Sequence, residues 1–131
     1  MRELERMKKT KMLKKNYEFR TVLNKGQYYS GKNIVIFIKK NNKQINFLGI
    51  AISSKLGKAV KRNYIKRMIR EIYRKKEEQL KTGYNIVFLW KKKSDIKQAC
   101  YDDVKKDVTK IFKEAKMFLE DKNEKSTNFF N

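Results

Sequence analysis

The chain has no histidine and no proline, and only one cysteine and five glycines among its 131 residues. Without histidine it lacks the usual general base near neutral pH and the commonest metal ligand. Cys100 alone closes no internal disulfide and builds no zinc site. That cysteine usage is the one expected of an intracellular, cytoplasmic chain. With no proline, turns must rest on Gly, Asn and Ser. Acids are scarce as well, with 14 Asp and Glu against 35 Lys and Arg, and no tight acidic cluster offers a magnesium site. No apolar run approaches the roughly 20 residues of a membrane span, and no signal-peptide core opens the chain. A self-contained protein hydrolase is hard to assemble from this inventory, so no residue is assigned as catalytic or as a metal ligand.

What is present is positive charge. The formal net charge is +21, far beyond what solubility requires, and it implies an anionic partner. Nucleic acid comes first and an anionic membrane surface second. Apolar residues at 40% and aromatics at 12% exclude a disordered basic tail. The length suits one domain, placed at residues 13–119, with a basic arm at 1–12 and a polar tail at 120–131.

Local patterns divide that domain. Asn16 reads as a helix cap and Gly26 as the residue past the helix end, with Phe19, Val22 and Leu23 on one face. Residues 28–30 read as a short strand with a bend at Gly31. Residues 33–38 form a β-branched run, and residues 45–53 a second long strand. The turn signal Asn41-Asn42-Lys43 between them predicts an antiparallel hairpin. A helix then runs to about Gln79. Residues 84–90 have almost no polar side chain and predict a central or covered strand. Ser94 or Asp95 is expected to cap a long last helix, whose apolar stripe includes Cys100 as a small buried hydrophobe. The fold class expected is an α/β sandwich of the α+β type. One mixed sheet of about four strands packs with three helices in the order α-β-β-β-α-β-α. The strand–helix–strand unit of residues 45–90 is long enough for a parallel crossover, right-handed by the general rule.

Residues 53–76 concentrate the charge. On a helix at about 100° per residue, Arg62, Asn63, Lys66, Arg67, Arg70 and Arg74 share an arc of roughly 140°. Tyr64, Ile65, Met68, Ile69 and Ile72 fall opposite, the side expected to pack inward. A solvated face usually mixes acids and bases at i, i+4. This one repels itself until a polyanion arrives. On charge alone, a non-enzymatic RNA-binding protein such as a ribosomal protein or RNA chaperone fits equally.

The spacing narrows that choice. Lys55-Leu56-Gly57-Lys58-Ala59-Val60-Lys61-Arg62-Asn63-Tyr64-Ile65-Lys66-Arg67-Met68-Ile69-Arg70-Glu71 resembles the signature of the bacterial ribonuclease P protein component. The resemblance extends over residues 13–118. It implies a small basic subunit that binds one catalytic RNA and the 5′ leader of precursor tRNA. The RNA and its magnesium ions then carry out the endonucleolytic cleavage that makes the mature 5′ end. It implies neither a membrane nor a stable protein partner, and it implies a left-handed crossover around the basic helix. Two surfaces carry over. Lys55, Lys58, Arg62, Asn63, Lys66, Arg67, Arg70 and Arg74 match the face that binds the RNA subunit. Phe19 and Phe37, with Tyr17 and Trp90 beside them, are assigned to the cleft for the single-stranded leader. Leu23 stands where a second cleft aromatic is common, Ser54 replaces a lysine of the lead-in, and Leu89-Trp90 replaces a frequent Ala-Arg, with strand-end packing the alternative role for Trp90.

Overall fold

The computed structural model describes residues 7–119. Its five strands are β1 (Thr10–Met12), β2 (Gln27–Ser30), β3 (Ile34–Lys40), β4 (Asn46–Ala51) and β5 (Tyr84–Trp90). The helices are α1 (Asn16–Lys25), α2 (Ala59–Lys76) and α3 (Tyr101–Glu114). The strands form one sheet in the order β1-β4-β5-β3-β2. β5 pairs antiparallel with β3 and parallel with β4, so β4, α2 and β5 form the expected parallel crossover.

The expected hairpin does not form, because β5 separates β3 from β4. The turn between those two strands brackets the start of β5 instead of closing on itself. Asn41 N donates to Gly83 O at 2.9 Å, and Asn41 Nδ2 donates to Asn85 Oδ1 at 2.9 Å and to Ile45 O at 3.1 Å. Gly83 is left-handed, with φ 96°, and a Cβ there would lie 2.9 Å from Lys43 O. Only glycine fits that corner at no steric cost. The apolar run of β5 is accordingly central, which is where its composition belongs.

Alternation divides the side chains between two faces. Ile34, Ile36, Ile38, Leu48, Ile50, Ile86, Phe88 and Trp90 lie on one face, where they meet Ile65, Ile69 and Ile72 of α2 and Val104, Val108, Ile111 and Phe112 of α3. The rings of Tyr73, Phe88 and Phe118 all pack edge-on against Phe112. Val35, Phe37, Phe47, Gly49, Val87 and Leu89 lie on the other face, under α1 and Leu13 just before it.

Two buried carboxylates fasten loops to this frame. Asp107 of α3 accepts from Lys32 N at 2.9 Å and Asn33 N at 2.8 Å, fixing the bend that follows Gly31. Glu77, in the 3-10 turn Glu77–Gln79 after α2, accepts from Lys8 N at 2.8 Å and Lys9 N at 2.9 Å. These bonds lead into β1, a fifth strand within the segment expected to be an arm. Residues 1–6 and the tail at 120–131 lie outside the described residues. The other described end meets the same segment, where Leu119 N donates to Gln79 O at 2.7 Å and Leu80 bridges Phe118.

Two helix boundaries also differ from expectation. α1 starts after Lys15, and Glu18 reaches back to Lys15 N at 3.0 Å; Asn16 is already helical. Asp95 caps only the 3-10 turn Ile96–Gln98, accepting from Lys97 N at 2.9 Å. Ala99 and Cys100 are then extended, and α3 begins at Tyr101. The break lets Ile96 pack over Gly57, and it takes Cys100 out of the apolar stripe, leaving the thiol exposed.

Candidate nucleic-acid interface

The half-covered face of the sheet is the first candidate surface. One cross-strand row runs Tyr28, Phe37, Val87, Gly49 from β2 to β4. α1 lays Phe19 directly on that row. A Cβ at Gly49 would lie 2.5 and 2.7 Å from two carbons of the Phe19 ring, so the missing side chain is the seat for the aromatic. Beside it, Tyr28 meets Phe37 edge-on with ring centroids 5.3 Å apart, and Tyr28 is 59% exposed. Phe47, Leu23 and Leu89 complete a half-buried apolar floor. The ammonium of Lys43 sits 5.1 Å over the Phe47 ring, and Lys11 and Lys39 flank the next row. The result is a cleft of accessible aromatic faces edged by cations. Such faces stack on bases with little regard for sequence.

Of the four residues assigned to this cleft, Phe19 and Phe37 do come together there. Tyr17 is 57% exposed at the start of α1, with the Lys15 ammonium 5.7 Å from its ring centre. Trp90 is not in the cleft. Parity puts residues 86, 88 and 90 of β5 on the opposite face, where Trp90 is buried and its Nε1 donates to Ser94 O at 2.9 Å. The adjacent residue on the cleft side is Leu89. Gly49, Tyr28 and Phe47 were missed, although alternation along β2 and β4 puts all three on the Phe37 face.

The second surface is the outer side of α2 and its lead-in. Lys58, Asn63 and Arg67 are exposed, while Lys66 and Arg70 are half-buried. Asn63, Lys66, Arg67 and Arg70 line one shallow groove together with Val60. Lys55 is exposed on the 3-10 turn Ser54–Leu56, whose start is fixed by Ser53 Oγ accepting from Lys55 N at 3.3 Å. Arg62 has a structural task too, since its Nε donates to Gly57 O at 3.0 Å and ties the lead-in to the helix. Arg74 differs from the rest because Glu71 pairs with it and also lies 3.7 Å from the Lys75 ammonium. Tyr64 does not pack inward as expected. It is 47% exposed, with the Lys61 ammonium 5.1 Å from its ring centre, and the buried stripe of α2 starts one residue later at Ile65. No acid occupies that first turn, so the positive end of the helix dipole adds to the side-chain field.

The family model for ribonuclease P matches residues 7–116. The chain belongs to the ribonuclease P protein family. The ribonuclease P protein component of Clostridium botulinum (strain 657 / Type Ba4) is 39% identical over 113 residues, covering 86% of this chain and 99% of the relative. That of Clostridioides difficile (strain 630) is 40% identical over 106 residues, covering 80% and 91%. Among solved structures, the Staphylococcus aureus RNase P protein superposes with a TM-score of 0.70 at 31% identity, covering 82% of this chain and 97% of that one. The Thermotoga maritima protein gives 0.71 at 26% identity, covering 85% and 99%.

As a ribonuclease P protein, the chain is the non-catalytic subunit of a ribonucleoprotein that processes precursor tRNA with a catalytic RNA. The family uses magnesium for that RNA-catalysed cleavage. Among the described residues, no helix is long and apolar enough to cross a membrane.

Proposed function

We propose that the two surfaces divide the work of the holoenzyme. The outer face of α2, through Lys55, Lys58, Asn63, Lys66, Arg67 and Arg70, docks the RNA subunit. The cleft under α1, through Phe19, Phe37 and Tyr28, holds the single-stranded leader of precursor tRNA. Arg62 acts at the first surface mainly by fixing the lead-in, and Arg74 contributes less because Glu71 already neutralises it.

The observation that carries this reading is the difference in chemistry across one sheet. The α2 side offers donors, which fork onto phosphate oxygens and position a backbone. The α1 side offers ring faces, which read unpaired bases. Magnesium belongs with the RNA. The side chains of the docking face are themselves cations and an amide, suited to phosphate and not to a metal ion.

Reconstitution with the host's RNA subunit and a precursor tRNA, at low magnesium, tests the division. Arg67→Ala should weaken binding to the RNA subunit and make its salt dependence shallower by about one unit of slope. Phe37→Ala should leave that binding intact and reduce preference for precursor over mature tRNA by about 1–3 kcal/mol, the value of one stacked base. Identical phenotypes for the two changes would overturn the two-surface reading. No stimulation of the RNA by the unaltered protein would overturn the docking itself.

A further inference from the structure

The row of the sheet next to the Phe37 row carries a polar group that the cleft, as a set of ring faces, leaves unused. This row runs Lys39, Asn85, Phe47, Lys11 from β3 to β1 and lies on the cleft face. Rows on one face are two residues apart, about 7 Å. A strand of RNA that stacks on Phe37 therefore passes beside Asn85.

Asn85 is half-buried, and its amide is oriented by the turn before β4. Lys43 N donates to Asn41 Oδ1 at 2.7 Å, and Asn41 Nδ2 donates to Ile45 O at 3.1 Å. A backbone N–H only donates and a carbonyl only accepts, so Asn41 is held one way round. Its Nδ2 also donates to Asn85 Oδ1 at 2.9 Å, which turns the Asn85 oxygen to the turn and leaves its Nδ2 free. Among the described residues, that Nδ2 has no acceptor, yet no buried side-chain nitrogen lacks a partner, so the amine is open to solvent. Its neighbours are donors too. Lys39 and Lys11 stand in the same row, and the Lys43 ammonium lies 5.1 Å over the Phe47 ring. Among the described residues, no carboxylate pairs with any of these three lysines.

We propose that Asn85 and Phe47 form a base-reading subsite of the leader cleft, which takes one unpaired nucleotide and selects a keto base, uracil or guanine, over cytosine or adenine. The base stacks on Phe47 in place of the Lys43 ammonium, whose exposed stem turns it toward the phosphate. Asn85 Nδ2 donates to the exocyclic oxygen, O4 of uracil or O6 of guanine. Cytosine and adenine carry an amino group there, which sets donor against donor. The one side-chain acceptor in the subsite, Asn85 Oδ1, already serves Asn41. Stacking alone is indifferent to sequence, so the amide adds a preference that the rings cannot supply. The inference rests on the assignment of the cleft made above.

The test is a competition, within one pool, among precursor tRNAs carrying every single-base variant of the leader, cleaved by holoenzyme reconstituted with the full chain. At one leader position the unaltered protein should favour U or G over C or A by about two- to tenfold in kcat/KM, the worth of one hydrogen bond. Asn85→Asp keeps an oxygen for Asn41 Nδ2 and replaces the free amine with an acceptor. It should abolish or reverse that preference, and Asn85→Ala should flatten it without reversal. Because all leaders compete together, a uniform effect of the added charge cancels. A flat profile for the unaltered protein overturns the subsite, as does a preference that survives Asn85→Asp or one that favours C or A. Phe37→Ala, run alongside, keeps the outcomes separate. A normal Phe37 effect on precursor preference with no base preference at Asn85 defeats only this inference, whereas an inert Phe37 defeats the cleft assignment.

Discussion

On one face of the sheet, α2 and α3 together bury Ile34, Ile36, Ile38, Leu48, Ile50, Ile86, Phe88 and Trp90. On the other, α1 with Leu13 leaves Phe19, Phe37, Phe47 and Leu89 only partly covered. The difference is one of length. α1 has 10 residues, against 18 and 14 for α2 and α3, so at about 1.5 Å per residue it is too short to roof the strands it crosses. Full coverage gives stability and consumes the aromatics as packing. Partial coverage costs some burial but keeps ring faces available to a partner, as a leader cleft needs. Gly49 marks the boundary, since it draws Phe19 down to the sheet without enclosing it.

Three changes would break or sharpen this contrast. Phe112→Ala strikes the closed face where four aromatic rings meet. It should cost about 3–5 kcal/mol in urea denaturation, a large part of the stability of a domain this size. Gly49→Val strikes the open face. The added carbons would displace Phe19, costing about 1–3 kcal/mol by overpacking. Its signature should be lost preference for precursor tRNA with docking to the RNA subunit retained. If leader preference survives the loss of the Phe19 seat, the cleft does not depend on that ring.

Tyr73→Phe should have the smallest effect, about 1 kcal/mol at neutral pH. The lost hydroxyl shares a hydrogen bond of 2.8 Å with Thr10 Oγ1 and accepts from Asn46 Nδ2 at 3.3 Å, joining α2 to β1 and β4. Burial raises the Tyr73 pKa above its ordinary 10.0, and the Glu77 charge adds to the rise, while the bonds to Thr10 and Asn46 oppose it. Above pH 10.0 the folded phenol therefore keeps a proton that the unfolded chain has released, so stability falls as pH rises through that window. Lys76, whose pKa is lowered chiefly by burial, gives a slope of the opposite sign. The difference between the wild-type and Tyr73→Phe denaturation curves isolates the phenol, and parallel pH profiles would contradict its assigned environment.

Much of this was legible in the residues. The element order from α1 to α3 follows from periodicity and turn signals, and the α2 signature specifies the family by spacing. Errors arose where a local signal was outvoted by a distant partner. Asn41-Asn42-Lys43 is a sound turn signal, but its amide groups bond to β5, which no local pattern reveals. The unbroken apolar run of β5 argued for a central position but not for which strands flank it. β1 is short and charged, and it becomes a strand only because β4 and Glu77 receive it. Trp90 was judged by residue type, when parity along β5 points it away from Phe37. Cys100 kept helical phase on paper and lost it to two extended residues.

The short segment at residues 77–80 receives Lys8 and Lys9 from one end of the described chain and Phe118 and Leu119 from the other. This has a consequence in time. A ribosome delivers β1 first, yet β1 has no strand to pair with until β4 emerges and no carboxylate to anchor it until Glu77 does. The last fastening waits for residue 119. Helices α1 and α2 can form locally during synthesis, but the sheet pairs strands far apart in the chain and closes only when nearly the whole domain is out. Until then a strongly basic chain with unpaired strand edges is exposed beside ribosomal RNA, and the rate of that final closure sets how long it stays so.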